Sequence, residues 1–141
     1  MESKAKAAGH AIHPMLIPFP LALLPAGLAF DGLYLWKRDD AFAVAAYWTI
    51  AASVVSGAVA GAFGLRDWLA IPPNTRAKRV GLWHGAGNVA ILGLAAASTV
   101  LRHDRRRYRP TPLAIGSAAV AGAASAVTGW LGGELVERLG V

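Results

Sequence analysis

Apolar residues run through the chain in four long blocks, residues 14–36, 41–65, 80–101 and 112–135, and charged residues are confined almost entirely to the segments between them. The first block contains only Asp31, the second no charge, the third only His84 if histidine is counted, and the fourth only Glu134 at its end. A helix rises about 1.5 Å per residue, so blocks of this length reach roughly 33 to 37 Å, enough to cross a hydrocarbon core of about 30 Å. The pattern predicts four transmembrane helices over about 14–36, 41–65, 80–101 and 112–135. The connections between them, 37–40, 66–79 and 102–111, are short enough to join antiparallel neighbours. The expected fold is therefore all-α: an integral membrane antiparallel four-helix bundle, up-down-up-down, forming a single transmembrane domain with both termini on one side.

The opening of the first block is irregular. His13-Pro14-Met15-Leu16-Ile17-Pro18-Phe19-Pro20 places three prolines within a few residues, and each proline removes an N–H donor and crowds the carbonyl four residues back. A kink, or extended chain before a regular helix begins near Pro20, is expected. Lys4 and Lys6 ahead of an apolar run resemble a secretory signal, but the run continues well beyond an h-region of roughly 7 to 15 residues. The segment reads as a retained span. Small residues recur at four-residue spacing, in Gly57/Gly61, Gly81/Gly85 and Gly129/Gly133, where helices can approach closely.

Composition supports the same reading. Of 141 residues 55% are apolar and 16% charged, and the mean hydropathy is +0.44, more apolar surface than a soluble domain of this size can bury. The net charge of +6 resembles a nucleic-acid signal until the charges are located: they cluster between the blocks, on no basic face interleaved with aromatics, and suit lipid headgroups. No nucleic acid is expected as a partner. Lys4, Lys6, Arg66, Arg76, Lys78, Arg79 and Arg138 fall on the side of the termini and seven basic residues on the other, so the positive-inside bias is a tie. The absence of cysteine excludes disulfides, thiolate metal sites and cysteine nucleophiles. No catalytic or nucleotide-binding motif is present, and no charged residue near mid-membrane suggests a transporter.

The candidate chemistry is positional. In an antiparallel bundle, His10, His13, Asp67, His84 and Glu134 all fall at the end that holds the termini. His84 is the sharpest, with Asn88 one turn deeper on the same face and Gly81 and Gly85 beside it. Neutral imidazole ligates haem, zinc and copper, so His13 and His84 are the candidate cofactor ligands. His10, Asp67 and Glu134 complete a candidate metal set. The competing explanation for His84 and Asn88 is a hydrogen bond between helices, and for Asp67, beside Arg66, a cap on the second helix. At the opposite end, Asp31 is expected to pair with an arginine of the third connection.

Certain residues together resemble a family. They are His13-Pro14 and Phe19-Pro20 in the first helix, Gly64 and Asp67 closing the second, His84 in the third, and the run from Gly129 to Val136 ending the fourth. This set is similar to the bacterial four-helix membrane proteins of the domain of unknown function 2231 family, over nearly the whole chain from about His10. The resemblance implies a prokaryotic cytoplasmic membrane, and members joined to Rieske-type iron–sulfur domains imply membrane redox work by association. The family often has a histidine before the Phe-Pro pair where this chain has Pro18, so a ligand set needing that imidazole is not carried over. The leading expectation is an accessory or redox subunit that binds haem or a divalent metal, with the lipid bilayer and either a redox protein or a second copy of the chain as partners. The alternative is a non-catalytic membrane protein with a polar interhelical network and no cofactor.

Overall fold

Each apolar block becomes a helix, and most of the helices run past the block that predicts them. The computed structural model describes residues 6–141, so the expectation that included Lys4 lies outside the described residues. Helix α1 spans Ile12–Leu16, α2 Pro18–Lys37, α3 Asp40–Ala70, α4 Arg76–His103 and α5 Pro112–Gly133, and a single π-helical turn, Glu134–Arg138, continues α5. A short 3-10 turn, Arg106–Tyr108, precedes α5. The all-α expectation gains one small exception, an antiparallel pair of two-residue strands, β1 (Lys6–Ala7) and β2 (His10–Ala11). Ala8 and Gly9 turn between them with φ of 50° and 83°.

The starts of α3, α4 and α5 are capped by side chains. Ala41 N–H donates to Asp39 Oδ1 (2.9 Å), Lys78 N–H to Thr75 Oγ1 (3.1 Å) and Ala114 N–H to Thr111 Oγ1 (3.0 Å), each relieving a donor that has no partner within its helix. Thr75 explains why α4 begins at Arg76 rather than at Val80. Helix α2 stops where Arg38 adopts the left-handed conformation at φ 57°. Helix α3 continues through Arg66, Asp67 and Trp68 to Ala70, because these residues are compatible with helix and Pro72-Pro73 is the first barrier. Asp67 is therefore a helical residue three positions before the end, not a cap.

The proline-rich entry is milder than expected. The hydrogen-bond ladder lapses between α1 and α2, since Pro18 and Pro20 offer no N–H to the carbonyls of Pro14 and Leu16. Ile17 nevertheless stays right-handed helical (φ −53°, ψ −39°), its N–H donates to His13 O at 3.2 Å, and its own carbonyl accepts from Leu21 N–H at 3.2 Å. No extended stretch intervenes. Proline's fixed φ is itself helical, so spacing the missing donors lets the chain continue without them.

Four helical segments, Ile12–Lys37, Asp40–Ala70, Arg76–His103 and Pro112–Arg138, are long and apolar enough to cross a membrane. Helix α2 packs on α3, α4 on α5, α3 on α4, and α2 on α5. Their shared core is small: Leu24, Ile50, Ile91, Ala95, Ala118 and Ala121. Close approach does much of the packing, as expected where lipid is as apolar as leucine. A Cβ on Gly27, Gly57 or Gly122 would stand 2.5 to 2.7 Å from Ile50, Leu92 or Leu28. The four-residue glycine pairs are used only in part. Gly57 and Gly81 are packed, whereas Gly61, Gly85, Gly129 and Gly133 have open space where a Cβ would go.

Candidate functional site

The entry turn of α1 and the first turns of α4 each carry a histidine against the late turns of another helix. His13 Nδ1 lies 2.7 Å from the carbonyl oxygen of Ala60 on α3, and His84 Nδ1 lies 2.8 Å from that of Thr128 on α5. A carbonyl only accepts, so each Nδ1 carries a hydrogen. The acceptor residue is followed four positions later by a glycine in both cases. A Cβ on Gly64 would meet His13 Cε1 at 2.8 Å, and one on Gly132 would meet His84 Cε1 at 3.1 Å. Both rings are half-buried.

Their free nitrogens differ. Asn88 Nδ2 donates to His84 Nε2 at 3.0 Å, whereas His13 Nε2 has no hydrogen-bond partner among the described residues. Between α4 and α5, beside Thr128, an apolar groove of about 540 Å³ is bounded by Trp83, Gly87 and Val127 among others, within the size range of small-molecule sites.

The remaining candidates are dispersed. His10 bonds through Nδ1 to Ala8 O within its own strand turn, and Asp67 is half-buried on α3. Glu134 is buried, its Oε1 accepting from Arg76 Nη2 at 2.6 Å and its Oε2 facing Arg138 Nη1 at 3.4 Å. Two guanidinium groups already occupy this carboxylate. Among the described residues no group of three or more His, Asp or Glu gathers within reach of one metal ion. His13 and His84 are each held on a carbonyl of a different helix, and the five candidates form no single cage among the described residues. Arg76 is a partner that sequence reasoning missed, because nothing in the block pattern links the first turn of α4 to the last residues of α5.

A second polar cluster lies elsewhere on the same helices. Arg102 Nη1 and Nη2 donate to Asp31 Oδ1 and Oδ2 at 2.8 and 3.1 Å, and both residues are buried, at 0% and 1% exposure. Arg102 also donates to Ser98 O and Ser98 Oγ, and Ser98 Oγ donates to Ala114 O at 2.7 Å. The arginine expected for Asp31 is therefore the last but one residue of α4, not a member of a loop. Nearby, the Tyr47 hydroxyl shares a 2.7 Å hydrogen bond with His103 Nδ1, and its ring stacks on Tyr108 at 3.9 Å and 7°. Asp40 accepts from Arg109 Nε and Nη2 at 2.6 and 2.8 Å, which raises the Arg109 guanidinium above its ordinary pKa, first by hydrogen bonding and then by charge. Every buried side-chain nitrogen and oxygen among the described residues has a partner.

Comparison with curated proteins and with solved structures found no significant match. A family model described as a predicted membrane protein covers residues 9–141, the stretch that holds all five helices and both histidines. The chain belongs to that family, DUF2231.

Proposed function

We propose that the chain is a multi-pass subunit of the prokaryotic cytoplasmic membrane, folded as an up-down-up-down bundle and a single domain, in which His13 and His84 hold a haem or a metal ion for a membrane redox system. One observation carries the reading: each imidazole is fixed through Nδ1 to a backbone carbonyl, with a glycine making room for the ring. Ligating histidines are oriented in this way, the second nitrogen bonded to a carbonyl or carboxylate and the first left basic. The helix pairings support the topology. Exposed Trp36 and Trp48, set apart along the chain from exposed Trp83 and Trp130, suit the two aromatic belts of a membrane protein and support a reading with His84, beside Trp83, near one interface. A haem or redox-active ion held there supplies one-electron transfer. The chain supplies two imidazoles and an apolar surround, with a redox protein as the electron partner. His10, Asp67 and Glu134 have no ligand role in this reading.

The test is an absorption spectrum and metal analysis of the protein purified from membranes. A Soret band or stoichiometric metal that disappears in His84→Ala, with membrane insertion intact, is the expected outcome. Purified protein with neither a chromophore nor a metal would sink the proposal. One observation favours a second reading, a non-catalytic bundle tied by polar side chains: Asn88 occupies the remaining nitrogen of His84. In that case His84→Ala changes stability alone.

A further inference from the structure

The groove between α4 and α5 has a direction. On α4 it follows Val80, Trp83, Gly87 and Ala90, one face of the helix, and on α5 it ends at Leu131. Small residues make its floor: Gly87 lets the two helices close, since a Cβ there would stand 2.6 Å from Thr128 Cγ2. Trp83 and Val127 beside it are exposed. From Val80 to Ala90 a helix rises about 15 Å, half of a hydrocarbon core of about 30 Å. Val80 opens the apolar part of α4, directly after Arg76, Lys78 and Arg79. The groove therefore runs from a membrane interface to mid-bilayer, the depth of a single leaflet.

Its interfacial end is basic. Arg76 Nη2 and Arg138 Nη1 both reach Glu134, at 2.6 and 3.4 Å, where the two helices of the groove meet. Each guanidinium commits one nitrogen there, and the side chains stay 66% and 73% exposed, so donors remain for an anion. Arg79 stands one turn before Trp83 on the same face, exposed and in no ion pair among the described residues. Lys78 is turned away onto Trp68. Glu137 is the other carboxylate at this end, in a hollow of about 260 Å³ that Trp130, Glu134 and Arg138 share. Three guanidinium groups against two carboxylates leave one positive charge over.

From these dimensions and charges we infer that the α4–α5 groove binds one anionic glycerophospholipid, with an acyl chain over Gly87 and Ala90 and the phosphodiester at Arg76, Arg79 and Arg138. Length selects the acyl chain: a groove that ends at mid-bilayer matches a chain of one leaflet, whereas a helix of a second copy would lie along the whole span. Charge selects the headgroup. A phosphodiester brings the one negative charge that the cluster lacks, and guanidinium groups match phosphate in forked geometry. A zwitterionic lipid brings a cation back to the same place. The inference does not depend on a ligand at the histidines.

Native mass spectrometry of the full-length chain in detergent, titrated with palmitoyl-oleoyl phosphatidylglycerol or the matching phosphatidylcholine, tests this. One phosphatidylglycerol per chain should be retained, and phosphatidylcholine should bind more weakly. Arg79→Gln, which removes no ion pair among the described residues, should weaken phosphatidylglycerol about fivefold, the share of one basic residue at a membrane surface, and leave phosphatidylcholine unchanged. Ala90→Trp should fill the groove and abolish retention. Val89→Trp, at the same depth on another exposed face, should not, and circular dichroism checks that both variants keep their helices. Glycerol phosphate should not displace the lipid. Equal binding of the two lipids, or an Arg79→Gln titration identical to that of the unmodified chain, overturns the anionic headgroup. Retention unchanged in folded Ala90→Trp overturns the groove. Displacement by glycerol phosphate overturns the acyl chain and leaves an anion site, and dimers that Ala90→Trp dissociates overturn the lipid in favour of a second copy.

Discussion

Asp31 and Arg102 meet each other across the bundle, whereas His13 and His84 each turn aside to a backbone carbonyl. The first pair closes its end of the bundle: opposite charges, bidentate geometry and a serine leave each nitrogen and oxygen of the two side chains with a partner. The histidines are secured separately: each Nδ1 binds a backbone carbonyl, and His84 Nε2 accepts from Asn88. Complementary charges make a lock between helices, while each imidazole is tied to a carbonyl that any residue could offer.

The largest effect should follow from opening the lock. Asp31→Asn or Arg102→Gln leaves one buried charge without its counter-ion, a change that costs about 3–5 kcal/mol in buried pairs. Asp31→Leu combined with Arg102→Leu removes both charges and should recover most of the loss. Unfolding in mixed micelles, followed by tryptophan fluorescence, measures both. A single substitution costing under about 1 kcal/mol would mean that water or lipid headgroups already reach the pair.

At the other end the effect should be smaller and unequal. Gly64→Ala puts a Cβ 2.8 Å from His13 Cε1, while Gly132→Ala puts one 3.1 Å from His84 Cε1. The His13 ring must leave its carbonyl, whereas His84 needs to yield by only a few tenths of an ångström. Loss of one hydrogen bond between membrane helices averages about 0.6 kcal/mol and reaches about 1.7. Gly64→Ala should fall at the upper end and Gly132→Ala at the lower. Nitrogen NMR of the imidazoles gives the sharper reading: the Nδ1–H tautomer signal of His13 should be lost or shifted in the first variant, and that of His84 retained in the second. Equal responses would contradict the unequal clearances.

How much of this was legible from the sequence follows from which forces act in one dimension. The four spans were legible, because hydrophobic length is a property of consecutive residues. His84 stood out as an ionisable group inside an apolar block and His13 as one just before a block, but what their rings bond to did not. The acceptors Ala60 and Thr128 were not legible, because a backbone carbonyl has no sequence signature and only the glycine four residues later hints at it. Arg102 was assigned to a loop because charge was taken to end a helix, yet a buried carboxylate on α2 lets α4 carry the guanidinium inside. Glu134 was grouped with the histidines by helix end alone. Its arginine neighbours, one on α4 and one in the π-helical turn, could not be weighed without distances. The glycine pairs at four-residue spacing misled in part, since spacing places two glycines on one face but does not say which helix, if any, lies against that face.

The smallest expected effect separates two contacts that hold the Arg105–Pro110 segment against α3. Tyr108 stacks on Tyr47, which is 7% exposed, so its ring loses water on one face and gains a parallel partner. Aromatic pairs of this kind add about 0.5–1.5 kcal/mol beyond area burial. Arg109 binds Asp40 with two good hydrogen bonds, but its side chain is half exposed, and water and salt compete for both charges. Tyr108 and Arg107 both adopt positive φ, at 55° and 54°, a conformation that non-glycine residues hold only when something pins them. If the stack is the pin, Tyr108→Ala lowers stability measurably and frees the Tyr47 hydroxyl from its fixed approach to His103, while Arg109→Gln changes stability by less than the error of the measurement. If Arg109→Gln is the more damaging of the two, the ion pair rather than the ring stack secures this segment.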